Sequence, residues 1–254
     1  MKKNKENYLY FLIWFILVIS FVISHLKYNV FPITYILPQI KAEENIYPVS
    51  MFGHWIGMDT ASWQNKWFYI VFPIFSIVFA NIFQREKISK DSIYKQYMEI
   101  AIVGSIGGVI PQIISVLLVS CFLPSIIPDS TTIFFCITPK CFMAELFYEH
   151  PLIYIFIYLF WNGIVGSLMT LIYFQLKKVI NRKRMSLIIY CALLVVTCYL
   201  FIKMGLRKFC FFYLLNPSQP IEGITIKDCL LYVMGLIIIL GVLYAYEQKK
   251  KMVY

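Results

Sequence analysis

The sequence predicts an all-α fold, a polytopic membrane protein of six transmembrane helices with both termini cytoplasmic. Three observations lead there. The 254 residues are 60% hydrophobic and 14% charged, whereas a soluble domain carries about 25% charged residues to solvate its surface. Six apolar stretches are long enough to cross a hydrocarbon core about 30 Å thick. Lys and Arg gather on alternate connections between them, the asymmetry that cytoplasmic loops display.

The stretches cover residues 9–26, 67–83, 98–123, 151–176, 186–202 and 229–246, within a single transmembrane domain spanning 1–254. The first has the position of a signal peptide but runs into His25, Leu26, Lys27 and Tyr28 rather than small residues, so it is read as a retained span. Fifteen of the 23 basic residues sit in four short segments: Lys2, Lys3 and Lys5; Arg85, Lys87, Lys90 and Lys95; Lys177, Lys178, Arg182, Lys183 and Arg184; and Lys249, Lys250 and Lys251. Those segments are placed inside, and an even number of spans agrees. The net charge of +10 then lies against anionic headgroups rather than nucleic acid.

Three longer connections, 27–66, 124–150 and 203–228, fall outside. The first carries Met51 to Asp59 followed by Trp63 and Trp67, rings suited to the headgroup level, with Trp55 and Asp59 as outer-interface candidates. In the third, Phe209 to Asn216 is too short to span yet apolar enough to dip into the bilayer. It is expected to form a short interfacial or re-entrant helix before the last span, presenting Phe212 and Asn216. No internal repeat is visible.

Seven cysteines occur without a CxxC pair or a His spacing suited to zinc, so no metal site is expected. Cys136 and Cys141 share an outer loop and are the candidate disulfide; Cys121, Cys191, Cys198, Cys210 and Cys229 read as small apolar residues. HExxH, GxSxG and P-loop patterns are absent, and no catalytic residue is assigned.

Ionisable groups within the spans are scarce, with Glu99 at the start of the third, so coupling through buried carboxylates is not indicated. Small and polar residues mark the third span at Gly104, Gly108, Gln112 and Ser115, and the fourth at Asn162, Gly166 and Thr170. They allow close helix approach or interhelical hydrogen bonds, or else line a translocation path. The inner loop 84–97 interleaves Ile88, Ile93, Tyr94 and Tyr97 with charges, a pattern that fits equally a short amphipathic helix docking into a soluble partner and a solvated, positive-inside loop.

This order of features resembles the permease subunits of bacterial ABC exporters, the six-helix class that moves drugs, peptides or polysaccharides. The likeness runs from about Tyr47 to Pro217, through Tyr47-Pro48-Val49-Ser50, Trp55 to Asp59, Phe72-Pro73-Ile74, Leu123-Pro124, Pro128-Asp129, Glu145 to Pro151, and Leu214-Leu215-Asn216-Pro217. It implies a dimer of permeases, homomeric or heteromeric, in the bacterial plasma membrane. Each would couple to a cytoplasmic ATPase through the loop after the second span, here Gln84, Arg85, Glu86, Lys87, Lys90, Asp91 and Tyr94. ATP and magnesium would sit on the partner, and this chain would be a transport subunit rather than an enzyme. The amphipathic helix that many members place before the first span has only residues 1–8 to form it here, and the inner loop is short. Two other readings remain open: a membrane-embedded cysteine peptidase, and a non-transporting immunity or sensor protein.

Overall fold

A computed structural model describes residues 2–30, 50–56, 63–83, 93–128, 137, 142–180, 183–217 and 223–253, and these are helical with short connections. In chain order the helices are α1 (Lys2–His25, continued by a π turn Leu26–Val30), α2 (Met51–Ile56), α3 (Trp63–Phe83), α4 (Ile93–Phe122) and α5 (Ala144–Glu149). There follow α6 (Pro151–Ile180), α7 (Lys183–Lys203), a 3-10 turn (Arg207–Phe209), α8 (Phe211–Leu215) and α9 (Ile226–Val253). No strand occurs among the described residues.

In lipid every peptide group must find a partner within the chain, and helices achieve this within one segment. Five helices, within α1, α4, α6, α7 and α9, are long and apolar enough to cross a membrane, so the chain is an all-helical, multi-pass membrane protein. The expected second span, 67–83, falls on the helix Trp67–Phe83, which is apolar but shorter than the five. It forms most of the 21-residue α3, and Phe68, Phe72, Phe75 and Ser76 on it are fully buried.

Helix α6 is the mast of the bundle. It packs against α3, α4, α7 and α9, and 56% of its most apolar window is buried, against 17% in α7 and 11% in α9. Helices α1, α3 and α4 form a second tier with α3 in the middle. Pro111 interrupts α4 and, lacking an N–H, leaves the carbonyl of Gly107 one turn back without its helical donor. The indole of Trp14 on α1 supplies one, Nε1 donating to Gly107 O at 3.3 Å.

Two ends can be distinguished. At the near end α4 begins and α6 and α9 finish. The far end carries α2, α5 and α8. There Met51 N donates to Pro124 O at 2.9 Å and the Ser50 hydroxyl donates to Ile126 O. Trp55 is buried with Phe52, Leu123, Phe147 and Tyr154. Its ring faces protein and not headgroups, because α2 packs on the end of α4. The expected short helix before the last span is α8, tied to α6 by Trp161 Nε1 donating to Leu214 O at 3.1 Å and by Tyr154 Oη donating to Pro217 O at 2.8 Å.

Helix ends are capped by local chemistry. At the end of α7, Gly205 has φ 75°, Leu206 N donates to Phe201 O at 2.8 Å and Gly205 N to Ile202 O at 3.2 Å. This is the Schellman pairing of a left-handed C′ glycine. At the start of α9, Thr225 N and Oγ1 donate to Asp228 at 2.9 and 2.8 Å, while Asp228 N donates back to Thr225 Oγ1 at 3.4 Å. That is a capping box, reinforced by Lys208 Nζ 2.6 Å from Asp228.

Candidate functional site

Three features stand out, a small-residue seam, a polar latch and an apolar cleft. The seam lies where α3, α4 and α6 converge. A Cβ on Gly104 would fall 2.5 Å from Thr170 Oγ1, and one on Gly108 would fall 2.6 Å from both Phe72 Cζ and Ser76 Oγ. On the facing helix, a Cβ on Gly166 would stand 2.9 Å from the same Ser76 Oγ. These contacts are tighter than side chains tolerate, so glycine is what permits the backbones to approach. Thr170 returns its hydroxyl to Gly166 O at 2.7 Å. One turn on, Asn162 Nδ2 donates to Gln112 Oε1 at 2.8 Å. Gln112 Nε2, Asn162 Oδ1 and the Ser76 and Ser115 hydroxyls are buried without a hydrogen-bond partner among the described residues. The structure thus gathers Gly104, Gly108, Gln112, Asn162, Gly166 and Thr170 into one interhelical seam, and adds Ser76 from α3, a lone serine in an apolar run that carries no such signal in the sequence.

The latch is at the near end. Tyr97 Oη on α4 donates to Gln175 Oε1 on α6, and Gln175 Nε2 donates to Glu247 Oε2 on α9 at 2.5 Å. Lys178 Nζ lies 3.3 Å from Tyr97 Oη and 4.5 Å from the centre of its ring. Lys250 Nζ donates to Val179 O at 3.0 Å. Three helices are joined by a chain in which Gln175 serves as acceptor on one side and donor on the other. Placing a carboxylate in this setting is costly unless its oxygens are bonded, and Gln175 meets part of that need. A lone Gln in an apolar run and a Glu ahead of a lysine tail carry no sequence signal that they meet.

The cleft opens between α7 and α9, both of which pack on α6 and scarcely on each other. It encloses about 380 Å³. Its walls include Met169, Leu194, Cys198, Phe211, Tyr232 and Leu236. A predominantly apolar cavity of this size suits the apolar part of an amphiphile.

No family model, curated protein or solved structure matches the chain. The geometry and the sequence therefore carry the functional argument alone.

Of the remaining candidates, Tyr94 is exposed at the start of α4, Phe212 is half-buried on α8 and Asn216 is buried just after it. Gln84, Arg85, Glu86, Lys87, Lys90, Asp91, Asp59, Cys136 and Cys141 lie outside the described residues. At the far end, His54 is buried and its Nδ1 pairs with Ser50 O at 2.8 Å. Burial pushes its imidazole below the ordinary pKa of 6.5, against the opposing pull of the Ser50 carbonyl. Among the described residues no group of three or more His, Cys, Asp and Glu is positioned to hold a metal ion.

Proposed function

We propose that the chain is the permease subunit of an ABC exporter in a bacterial plasma membrane. In this reading it crosses the bilayer six times with both termini cytoplasmic, α3 serving as the second span. It pairs with a second permease and binds a separate ATPase at the near end. The polar latch is the observation that carries the proposal. Residues 84–92 immediately precede α4 in the sequence, Tyr97 stands at the fifth position of that helix, and the latch continues through Gln175 into α6 and Glu247 into α9. A displacement of the loop is passed to two of the three walls of the apolar cleft.

ATP and magnesium act on the partner chain, where closure of the ATPases moves Gln84 to Tyr94. The tight α3–α4–α6 seam makes those helices move as a body and the latch carries α9 with them, while the lightly packed α7 is free to reset. Such a difference in packing lets an external motor shift the balance between inward-facing and outward-facing states. The substrate class that suits the cleft is an amphiphile with a substantial apolar part, such as a lipophilic peptide or drug.

Detergent extracts of the native host provide the test. An ATPase is expected to co-purify with the tagged chain, and changing Arg85, Glu86 and Lys87 together to Ala should weaken that association. Tyr97→Phe and Glu247→Gln should leave the association intact and lower substrate-stimulated ATP hydrolysis several-fold. Recovery of the chain without any ATPase, together with a cellular phenotype indifferent to ATP, would remove the proposal.

A further inference from the structure

Cys198 lies in the last two turns of α7 and faces the cleft. Cys210 sits between the 3-10 turn and α8. The two are twelve residues apart and both buried. The two thiols are near enough to interact, and the Cys210 thiol donates to Cys198 O at 3.4 Å. The segment between them turns back on itself through the Gly205 Schellman motif, which is what brings Cys210 over α7. No other cysteine pair among the described residues shares a hydrogen bond that the structure gives.

We infer that Cys198 and Cys210 are a redox pair whose disulfide fastens the 204–210 connection onto α7 at the far end of the cleft. Phe209 and Phe211 flank Cys210 and both line the cleft, with the Phe209 ring 6.1 Å from that of Phe201. Locking Cys210 fixes both rings, so the oxidation state sets the freedom of that part of the cleft wall.

The chemistry balances with a disulfide-bearing oxidant, either a small disulfide or a thiol–disulfide oxidoreductase acting on the far face. Interaction with the Cys198 thiol holds the Cys210 thiol below its ordinary range, against the effect of burial, and so favours Cys210 as the attacking thiolate. It forms a mixed disulfide and expels one thiolate of the oxidant. Cys198 then attacks the Cys210 sulfur and expels the second. Two protein S–H bonds are lost and two form on the oxidant, which is reduced by two electrons. Met204, Leu206 and Arg207 just before Cys210 are exposed, so only one short turn separates the buried Cys210 from the surface. The inference does not depend on the transport reading and can stand or fall without it.

Full-length protein in native membranes is treated with hydroxyethyl disulfide, blocked with N-ethylmaleimide, digested and examined by mass spectrometry. The expected product is a peptide pair joined through Cys198 and Cys210, lighter by two hydrogens and separated by dithiothreitol. C198S and C210S each abolish it, whereas C121S, C191S and C229S retain it. As a second readout, oxidation should raise the melting temperature of the wild type but not of C198S or C210S. Complete alkylation of both cysteines after oxidant treatment, a mixed disulfide at Cys210 that Cys198 fails to resolve, or a link to a different cysteine would each overturn the inference.

Discussion

Pro111 and Trp14 illustrate how a single residue in this bundle is compensated by another far away in sequence. The proline removes one amide from α4, and an indole N–H from α1 stands in for it at Gly107 O. Trp14→Phe keeps an aromatic ring, smaller than the indole, and deletes the donor, stranding a carbonyl in an apolar medium at a cost of roughly 1–3 kcal/mol. Thermal unfolding in detergent should therefore show a lower Tm for Trp14→Phe. Adding Pro111→Ala should recover part of the loss, because the restored amide reoccupies the carbonyl. Equal penalties with and without proline would show that the indole bond contributes nothing.

His54 sets a second expectation at this scale. Its folded-state pKa lies below the ordinary 6.5, so the unfolded chain binds the extra proton more readily. The stability that the neutral imidazole contributes is complete above pH 6.5 and declines as the pH falls below it. Lowering the pH from about 7.5 to about 5.5 should depress Tm in the wild type. His54→Gln should flatten that response; parallel decline of the two proteins would exclude this imidazole as the source.

At the scale of elements, the caps of α7 and α9 define the connection that carries Cys210 and α8. Gly205→Ala asks an L residue to hold φ 75°, which costs about 1–2 kcal/mol, and should lower Tm while speeding amide exchange in residues 204–210. Gly235→Ala, inside α9 with nothing near its would-be Cβ, is the matched control and should be neutral or slightly stabilising. If the two substitutions behave alike, the Schellman motif is not holding this turn.

The element scale is also where the sequence was most legible. Length and apolar content were enough to find each long helix among the described residues, because a lipid-facing segment needs no periodicity to be recognised. The helices nonetheless run beyond the apolar stretches, α6 to Ile180 and α9 from Ile226 to Val253. Polar residues at a helix end stop the bilayer but do not stop the backbone. Two helix boundaries do carry a local signal, Thr225 three residues before Asp228 and Gly205 two residues after Lys203. The partners across the bundle were not readable. A tryptophan beside a span looks the same in sequence whether it meets headgroups or, like Trp55, is sealed beneath another helix. The pairings Gln175 with Glu247 and Cys198 with Cys210 depend on how helices are juxtaposed, and one sequence carries no record of that.

For the whole molecule, the division is between a tight tier built on α3, α4 and α6 and two outlying helices. Glycines and buried rings fix the first. The second is held mainly by α6 along one side and by the latch and the α8 segment at the two ends. Because α7 and α9 hardly touch, the space between them is completed by whatever surrounds the protein. Acyl chains of the host bilayer are thus a boundary of the chamber, and their length and order help to set its width. Extraction into micelles replaces that boundary with surfactant tails, so the solubilising agent becomes a competitor for the same space.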